Sequence, residues 1–130
     1  MDSDISEILL KSMTVAVVGL SPKQDRPSNQ VAKYLLQAGY NVIPVNPGQQ
    51  NILGRKCYPD LASISEPVDI VDIFRGSEYV PAIVEEAILI KAKAVWMQQG
   101  VIHEDAASRA RNAGLHVVMD RCIKIDHINM

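Results

Sequence analysis

The sequence predicts an α/β protein with a doubly wound, mostly parallel, Rossmann-like sheet of five or six strands in the order 3-2-1-4-5-6. One observation is a set of short, β-branched apolar runs, of which Thr14–Val18 and Pro67–Phe74 are the clearest, typical of strands covered on both faces. A second is that these runs alternate with segments of helical period. Right-handed βαβ crossovers then place helices on both faces of the sheet.

Length and composition indicate an ordinary globular protein. We expect the 130 residues to form one domain, residues 1–130, large enough for a core without disulfides or metal. The 13 Lys and Arg residues against 15 acids give a net charge of -2, which argues against a nucleic-acid partner. No apolar run approaches the ~20 residues of a membrane span, so no membrane partner is expected. Cys57 and Cys122, without a CxxC motif or an apolar leader, predict free thiols and a cytoplasmic location.

The first segments build a strand, a loop and a helix. Ile5, Ile8 and Leu9 predict a short amphipathic helix within residues 1–12 that lies against the sheet edge. After the strand Thr14–Val18, Pro27 and Ser28 open the next helix, because proline suits the first helical turn and a serine there can cap a free donor.

The loop between them, Gly19–Ser28, predicts an anion site. The free N–H groups and the positive dipole end of the following helix face the loop. Lys23 and Arg26 add positive charge. A strand, a loop and a helix in this arrangement form a phosphate-binding unit.

The second strand, Tyr40–Asn46, contains Pro44, so its pairing is expected to be one-sided or to end near that residue. We expect a very short strand at Lys56–Tyr58 and one helical turn at Leu61–Ser65. The remaining pattern predicts the strand Pro67–Phe74, a helix capped by Ser77, the strand Ala94–Met97, an alanine-rich helix ending at Gly114, the strand His116–Met119 and an aperiodic tail, 120–130. Asp72 lies inside an apolar strand, so its carboxylate is expected to have a partner.

Ligands of such sheets bind beyond the carboxyl ends of the strands, where the strand order reverses. The segments expected at that edge are Gly19–Arg26, Asn46-Pro47, Phe74-Arg75 and Gln98–Gly100. A dinucleotide fingerprint would need glycines at positions 19, 21 and 24 and an acid after the second strand. The chain has Gly19, but Ser21, Gln24 and Asn46-Pro47 stand at the other positions, so NAD(P) is the alternative ligand.

Six ordered motifs resemble the small bacterial CoA-binding proteins, which are related to the N-terminal domain of the succinyl-CoA synthetase α subunit. They are GxSxxxxRPS, GYxVxPVNP, VDIVDIFR, a following VP, AVWMQQGV and AGLxVVMDRC. The resemblance runs from about Met13 to His127.

This resemblance implies coenzyme A in a Rossmann-like fold. It places the phosphates in the Gly19–Ser28 loop and the adenosine end beside Asn46-Pro47 and Phe74-Arg75. Val80 and Pro81, in the helix that follows, lie alongside. The implied cofactor-binding residues are Gly19, Ser21, Pro22, Lys23, Arg26, Ser28, Asn46, Pro47, Phe74, Arg75, Val80 and Pro81. The synthetase domains carry a lysine for the ribose 3′-phosphate shortly after the residues that match Asn46-Pro47. Here Gly48–Asn51 follows, so the resemblance assigns no residue to that phosphate.

The expected function is therefore non-catalytic binding of CoA or an acyl-CoA, with no catalytic residue and no metal. The alternatives are an NAD(P)-binding oxidoreductase or one component of a split acyl-CoA ligase, with a protein partner left open. The phosphohistidine of the synthetases belongs to a second domain that this sequence does not contain. Cys122 is expected to be inert, because it follows the last strand at the far edge of the sheet, away from the ligand.

Overall fold

Strands and helices alternate through residues 2–130, which the computed structural model describes. The strands are β1 (Thr14–Val18), β2 (Asn41–Val45), β3 (Asn51–Ile52), β4 (Arg55–Lys56), β5 (Ile70–Ile73), β6 (Ala94–Met97) and β7 (His116–Val118). The helices are α1 (Asp2–Lys11), α2 (Pro27–Gln37), α3 (Val80–Leu89), α4 (Glu104–Asn112) and α5 (Ile123–Ile128), with a 3₁₀ turn at Ser77–Tyr79 before α3.

The main sheet has five parallel strands in the order β2-β1-β5-β6-β7. The predicted doubly wound α/β class is confirmed. The strand order reverses between β1 and β5, where Val17 lies opposite Asp72, and the next strand places Trp96 opposite Asp72. The carboxyl ends of β1 and β5 therefore form the crevice at which such sheets bind ligands.

The predicted order 3-2-1-4-5-6 is wrong at one edge. The strand expected at Lys56–Tyr58 is reduced to one parallel bridge between Tyr58 and Val45, while β4 pairs antiparallel with β3 in a small hairpin. Tyr58 donates to the carbonyl of Pro44 at 3.0 Å and accepts from Asn46 N at 2.9 Å. Pro59 follows without an N–H group, so the ladder cannot extend through it. Pro44 stands opposite Val17 of β1, but its carbonyl accepts from Tyr58 on the other side, so the hydrogen bonding of this residue is one-sided as predicted.

Each face of the sheet carries its own apolar layer. Alternate residues such as Ala16 and Val71 pack beneath α3 and α4, while Val15, Val17 and Trp96 pack beneath α1, α2 and α5. The first helix therefore covers a face of the sheet rather than only its edge. No helix within residues 2–130 has the length and apolar character that a bilayer crossing requires.

Three other local predictions need correction. The tail expected to be aperiodic contains α5, whose Ile123 is fully buried against the layer of α1 and α2. Its six residues are too few to show a helical period. Leu61–Ser65 is a turn closed by a hydrogen bond from Ile64 N to Leu61 O rather than a helix. Asp72 is fully buried, and neither carboxyl oxygen has a hydrogen-bond partner among the described residues.

Candidate functional site

Gly19 lies where β1, β2 and β5 end together. Its N–H donates to Val45 O at 2.9 Å, and the N–H of Phe74 donates to Val18 O at 2.8 Å. The φ of Gly19 is 86°, and a Cβ atom there would lie 2.6 Å from Phe74 O and 2.9 Å from Arg75 Cδ. Only glycine fits both this conformation and this spacing. The absence of a side chain therefore lets Phe74 and Arg75 approach the end of β1 closely.

The loop after Gly19 is held by the first turn of α2. The Oγ of Ser28 accepts from Ser21 N at 3.0 Å, and the Nδ2 of Asn29 donates to Ser21 O at 2.9 Å. The Oγ of Ser21 in turn accepts from Lys23 N at 3.1 Å. Ser28 and Asn29 are 5% and 3% exposed. The sequence suggested that Ser28 would cap the helix. In the structure its hydroxyl holds the preceding loop instead.

The N-terminus of α2 is open. Arg26 occupies the N-cap position in an extended conformation, with φ of -80° and ψ of 141°, and no side chain caps the helix there. Pro27 takes the first position, where its missing N–H costs nothing. The positive end of the helix dipole is thus available to an anion.

Two cations flank this helix end. Lys23 and Arg26 are both exposed, and neither the ammonium of Lys23 nor the guanidinium of Arg26 has a hydrogen-bond or ion-pair partner among the described residues. Pro22 is also exposed in the same loop. The charges that the sequence placed on the loop are therefore free to face a ligand.

Asn46 ties β2 to the loop. Its Nδ2 donates to Leu20 O at 3.0 Å, and its Oδ1 accepts from Gly48 N at 2.9 Å. Both ends of the amide are used by the backbone, so the side chain shapes the rim. Pro47 is exposed beside it and lines a depression next to Gly19.

Arg75 separates two depressions at this edge. Its guanidinium carbon lies 4.0 Å from the centroid of the Tyr79 ring, a distance at which a cation and an aromatic face attract. The smaller depression, the β2-side pocket, has a volume of about 170 Å³ and is lined by residues including Gly19, Pro47, Asp60, Arg75, Tyr79 and Glu86. The larger, the α5-side groove, has about 480 Å³ and is lined by residues including Pro27, Phe74, Arg75, Gln98, Gln99 and Cys122.

The structure brings together most of the implied site residues but not the last two. Val80 is fully buried in the layer beneath α3, and Pro81 lines a separate cavity between α3 and α4. Neither lines the β2-side pocket or the α5-side groove. The start of α3 contributes Tyr79 instead.

Sequence reasoning missed Asn29 and Tyr79, and it placed Gln98 at the ligand edge without assigning it a role. Asn29 and Gln98 are buried polar residues, and their roles depend on contacts with distant segments that no local pattern reports.

The placement predicted for Cys122 is also wrong. β7 does form the far edge, but the chain then returns, and Cys122 lines the groove beside Phe74.

The carboxyl of Asp72 is a further titratable group near this edge. Its burial raises the pKa well above the ordinary value of an aspartic acid. The side chain therefore keeps its proton to a higher pH than an exposed aspartic acid does, and it lines neither depression. Among residues 2–130 there is also no group of three or more His, Cys, Asp or Glu side chains arranged to hold a metal ion.

Comparison with known proteins gives consistent matches. A family model described as "CoA binding domain" matches residues 13–128. The uncharacterized protein YneT of Bacillus subtilis (strain 168) is 44% identical over 125 residues, which are 96% of this chain and 93% of that protein. A hypothetical protein from Pyrococcus horikoshii OT3 superposes with a TM-score of 0.96 and 43% identity, over 99% of this chain and 91% of that one.

A longer relative is the ADP-forming acetate-CoA ligase I of Archaeoglobus fulgidus, which is 31% identical over 127 residues. The match takes in 90% of this chain and 18% of the ligase. The chain thus corresponds to a small part of that enzyme.

Proposed function

This chain belongs to the family of CoA binding domains, and we propose that residues 1–130 act as one domain that binds coenzyme A or an acyl-CoA without catalysing a reaction on it. The proposal places the diphosphate at the N-terminus of α2. The observation that carries it is the open helix end flanked by the free cations of Lys23 and Arg26, directly beside a glycine that admits no side chain.

The proposed binding mode uses the whole rim. The adenosine lies in the β2-side pocket, between Pro47 and the stacked pair of Arg75 and Tyr79. The backbone around Gly19 lets the diphosphate cross from that pocket to α2. Ser21 is held in place by Ser28, and Lys23 and Arg26 close on the phosphates. Charge-assisted bonds of this kind contribute about 1.5–3 kcal/mol each.

The proposal includes a weak preference for the 3′-phosphate. The charged residues that line the β2-side pocket are Arg75 and two acids, Asp60 and Glu86. Asp60 accepts from Ser63, and Glu86 accepts from Leu61 N at 3.0 Å, so both carboxylates face local donors. Arg75 is therefore the one cation of this pocket that could meet the 3′-phosphate, and the diphosphate competes for it. We expect CoA, which has this phosphate, to bind little more tightly than dephospho-CoA, which lacks it.

Binding without catalysis is favoured because the side chains assigned to the phosphates are the free cations Lys23 and Arg26, while Ser21 and Ser28 hold the loop. The two free thiols favour a reducing compartment, and we place the protein in the cytoplasm.

A second candidate is the CoA-binding component of a split acyl-CoA ligase, which the match to part of an acetate-CoA ligase supports. That role would require a partner carrying the rest of the enzyme.

Calorimetric titration with CoA, dephospho-CoA and NAD⁺ tests the proposal. We expect saturable binding of CoA and dephospho-CoA with affinities within a factor of about three of each other, and no binding of NAD⁺ at the same concentrations. Binding of NAD⁺ that CoA does not displace would instead support the oxidoreductase. The ligase component is tested by adding an acid, CoA and ATP with a candidate partner and measuring ADP release.

A further inference from the structure

Cys122 is fixed against the end of β6 by the way the chain returns from β7. Asp120 adopts a φ of 61°, and its Oδ1 accepts from Gly100 N at 2.7 Å. Arg121 N then donates to Met97 O at 3.3 Å, and Ile123 N donates to the Oε1 of Gln98 at 3.1 Å. The cysteine between these two anchors therefore has a defined place in the α5-side groove.

The same groove contains an unused donor. Gln98 is 4% exposed and lines the groove, and its Oε1 is occupied by Ile123 N. Within residues 2–130, no hydrogen bond uses its Nε2. Among the described residues, only the carboxyl oxygens of Asp72 are both sealed from solvent and unpaired, so the Nε2 of Gln98 is accessible and open to an acceptor on a ligand in the groove.

The groove fits a long, narrow, partly apolar group. Its walls combine apolar side chains, Pro27, Val31 and Phe74, with the donor of Gln98, and it begins at the helix end where the diphosphate is proposed to bind. The pantetheine arm of CoA is such a group, because it joins apolar carbons to amide carbonyls and ends in a thiol.

We infer that the pantetheine arm lies in the α5-side groove, accepts a hydrogen bond from Gln98, and brings its sulfur to Cys122, with which it forms a mixed disulfide. This inference rests on the proposed function, since the diphosphate anchors the arm. It names a further site, a thiol that records the oxidation state of the CoA pool.

The reaction is thiol–disulfide exchange with CoA disulfide, the oxidised form of the ligand. The Cys122 thiolate attacks one sulfur of CoA disulfide, the bond between the two CoA sulfurs breaks, and one CoA leaves as a thiolate that takes up a proton. The product holds the other CoA on Cys122, and one disulfide replaces another without net oxidation. A free thiol in excess reverses the exchange by the same steps.

The test is intact-mass analysis of the protein after incubation with CoA disulfide, with time points that give a rate. We expect one CoA adduct that maps to Cys122, is removed by dithiothreitol and is absent from Cys122→Ser. Cys57→Ser is the matched control, because Cys57 is 6% exposed and burial raises the pKa of its thiol. That variant should form the adduct at the rate of the wild type.

A second disulfide separates positioned exchange from ordinary thiol reactivity. The disulfide of pantetheine has the same reactive end but no phosphate, so its reaction with Cys122 should be at least ten times slower. Arg26→Ala should slow the reaction with CoA disulfide and leave the reaction with pantetheine disulfide unchanged. Equal rates for the two disulfides, or an adduct on Cys57, would overturn the inference.

The two proposals fail in distinguishable ways. Calorimetric titration of reduced CoA, with dithiothreitol present, into the wild type and into the control Cys57→Ser measures binding without exchange, and we expect the two proteins to bind alike. Normal binding with no adduct on the wild type would overturn the inference while the proposed function stands. An absence of binding to either protein would remove the proposed function and, with it, the basis of the inference.

Discussion

The Oγ of Ser28 accepts a hydrogen bond from the backbone N–H of Ser21 at 3.0 Å, so the first turn of α2 fixes the loop that precedes it. The bond spans seven residues and closes the segment that carries both free cations. The geometry of the proposed phosphate site thus depends on a buried hydroxyl that bonds the loop backbone.

Replacing Ser28 with alanine tests this dependence. Loss of the acceptor leaves the N–H of Ser21 without a protein partner, and we expect unfolding to become easier by about 1 kcal/mol. CoA affinity should fall as well, because the loop is no longer held for binding. Urea denaturation and calorimetry measure the two effects. Ser108→Ala, at an exposed position on α4, is the control and should change neither. Unaltered CoA affinity in Ser28→Ala would contradict the role given to this hydroxyl.

Arg26→Ala should weaken CoA binding by about 1.5–3 kcal/mol, a factor of about ten to more than a hundred, with little change in stability. The guanidinium has no described partner in the free protein, so its loss costs the fold nothing. The control is Arg111→Ala, since Arg111 lies in the last turn of α4, toward the opposite edge of the sheet. Equal affinity of wild type and Arg26→Ala for CoA would remove Arg26 from the site.

Gly19→Ala separates two reasons for a glycine at the end of β1. A Cβ atom there meets Phe74 O at 2.6 Å in addition to the strain of a positive φ. Gly114 has a φ of 93°, close to the 86° of Gly19, but a Cβ there would have no neighbour within 4 Å. We therefore expect Gly19→Ala to lose at least about 1 kcal/mol more stability than Gly114→Ala and also to lose CoA binding.

If the two alanine variants unfold at the same urea concentration, the close approach of β1 and β5 at Gly19 is not a constraint on the fold. If Gly19→Ala is destabilised but binds CoA like the wild type, the backbone around Gly19 does not form part of the phosphate site. Thermal unfolding in the presence and absence of CoA distinguishes these cases.

The sequence predicts the centre of the sheet well because local and tertiary preferences agree there. β1 has the predicted bounds, Thr14–Val18, and so does β6, Ala94–Met97, since each is an apolar run buried on both faces. At the β2 edge, the prediction fails because Tyr58 follows a hairpin and precedes a proline. Because only one residue pairs with β2 there, the sequence has no apolar run at that point from which a strand could be predicted.

The sequence predicts those site residues that lie in the Gly19–Ser28 loop. It does not predict those that reach the site because the chain folds back after β7. Lys23 and Arg26 follow directly from the loop sequence. The position of Cys122 depends instead on the hydrogen bond between Ile123 N and Gln98 Oε1, which joins residues 25 positions apart. Neither residue has a local signature of that contact, so sequence reasoning assigned the cysteine to the far edge.

Asp72 gives the stability of the protein an unusual pH dependence. Burial raises the pKa of its carboxyl in the folded state above the unfolded value of about 3.9. The folded protein therefore binds a proton that the unfolded chain has released. The stability that Asp72 contributes is fully present below about pH 4 and is lost as the pH rises through the folded-state pKa.

Asp72→Asn removes this titration and keeps the shape of the side chain. We expect the variant to be less sensitive than the wild type to a rise in pH above about 4, and to be the more stable of the two near about pH 7, because the asparagine has no proton to lose. Urea denaturation of both proteins across that range measures the difference in slope. The same slope in the two proteins would mean that the carboxyl of Asp72 titrates normally, and that a hydrogen-bond donor or water reaches it inside the sheet.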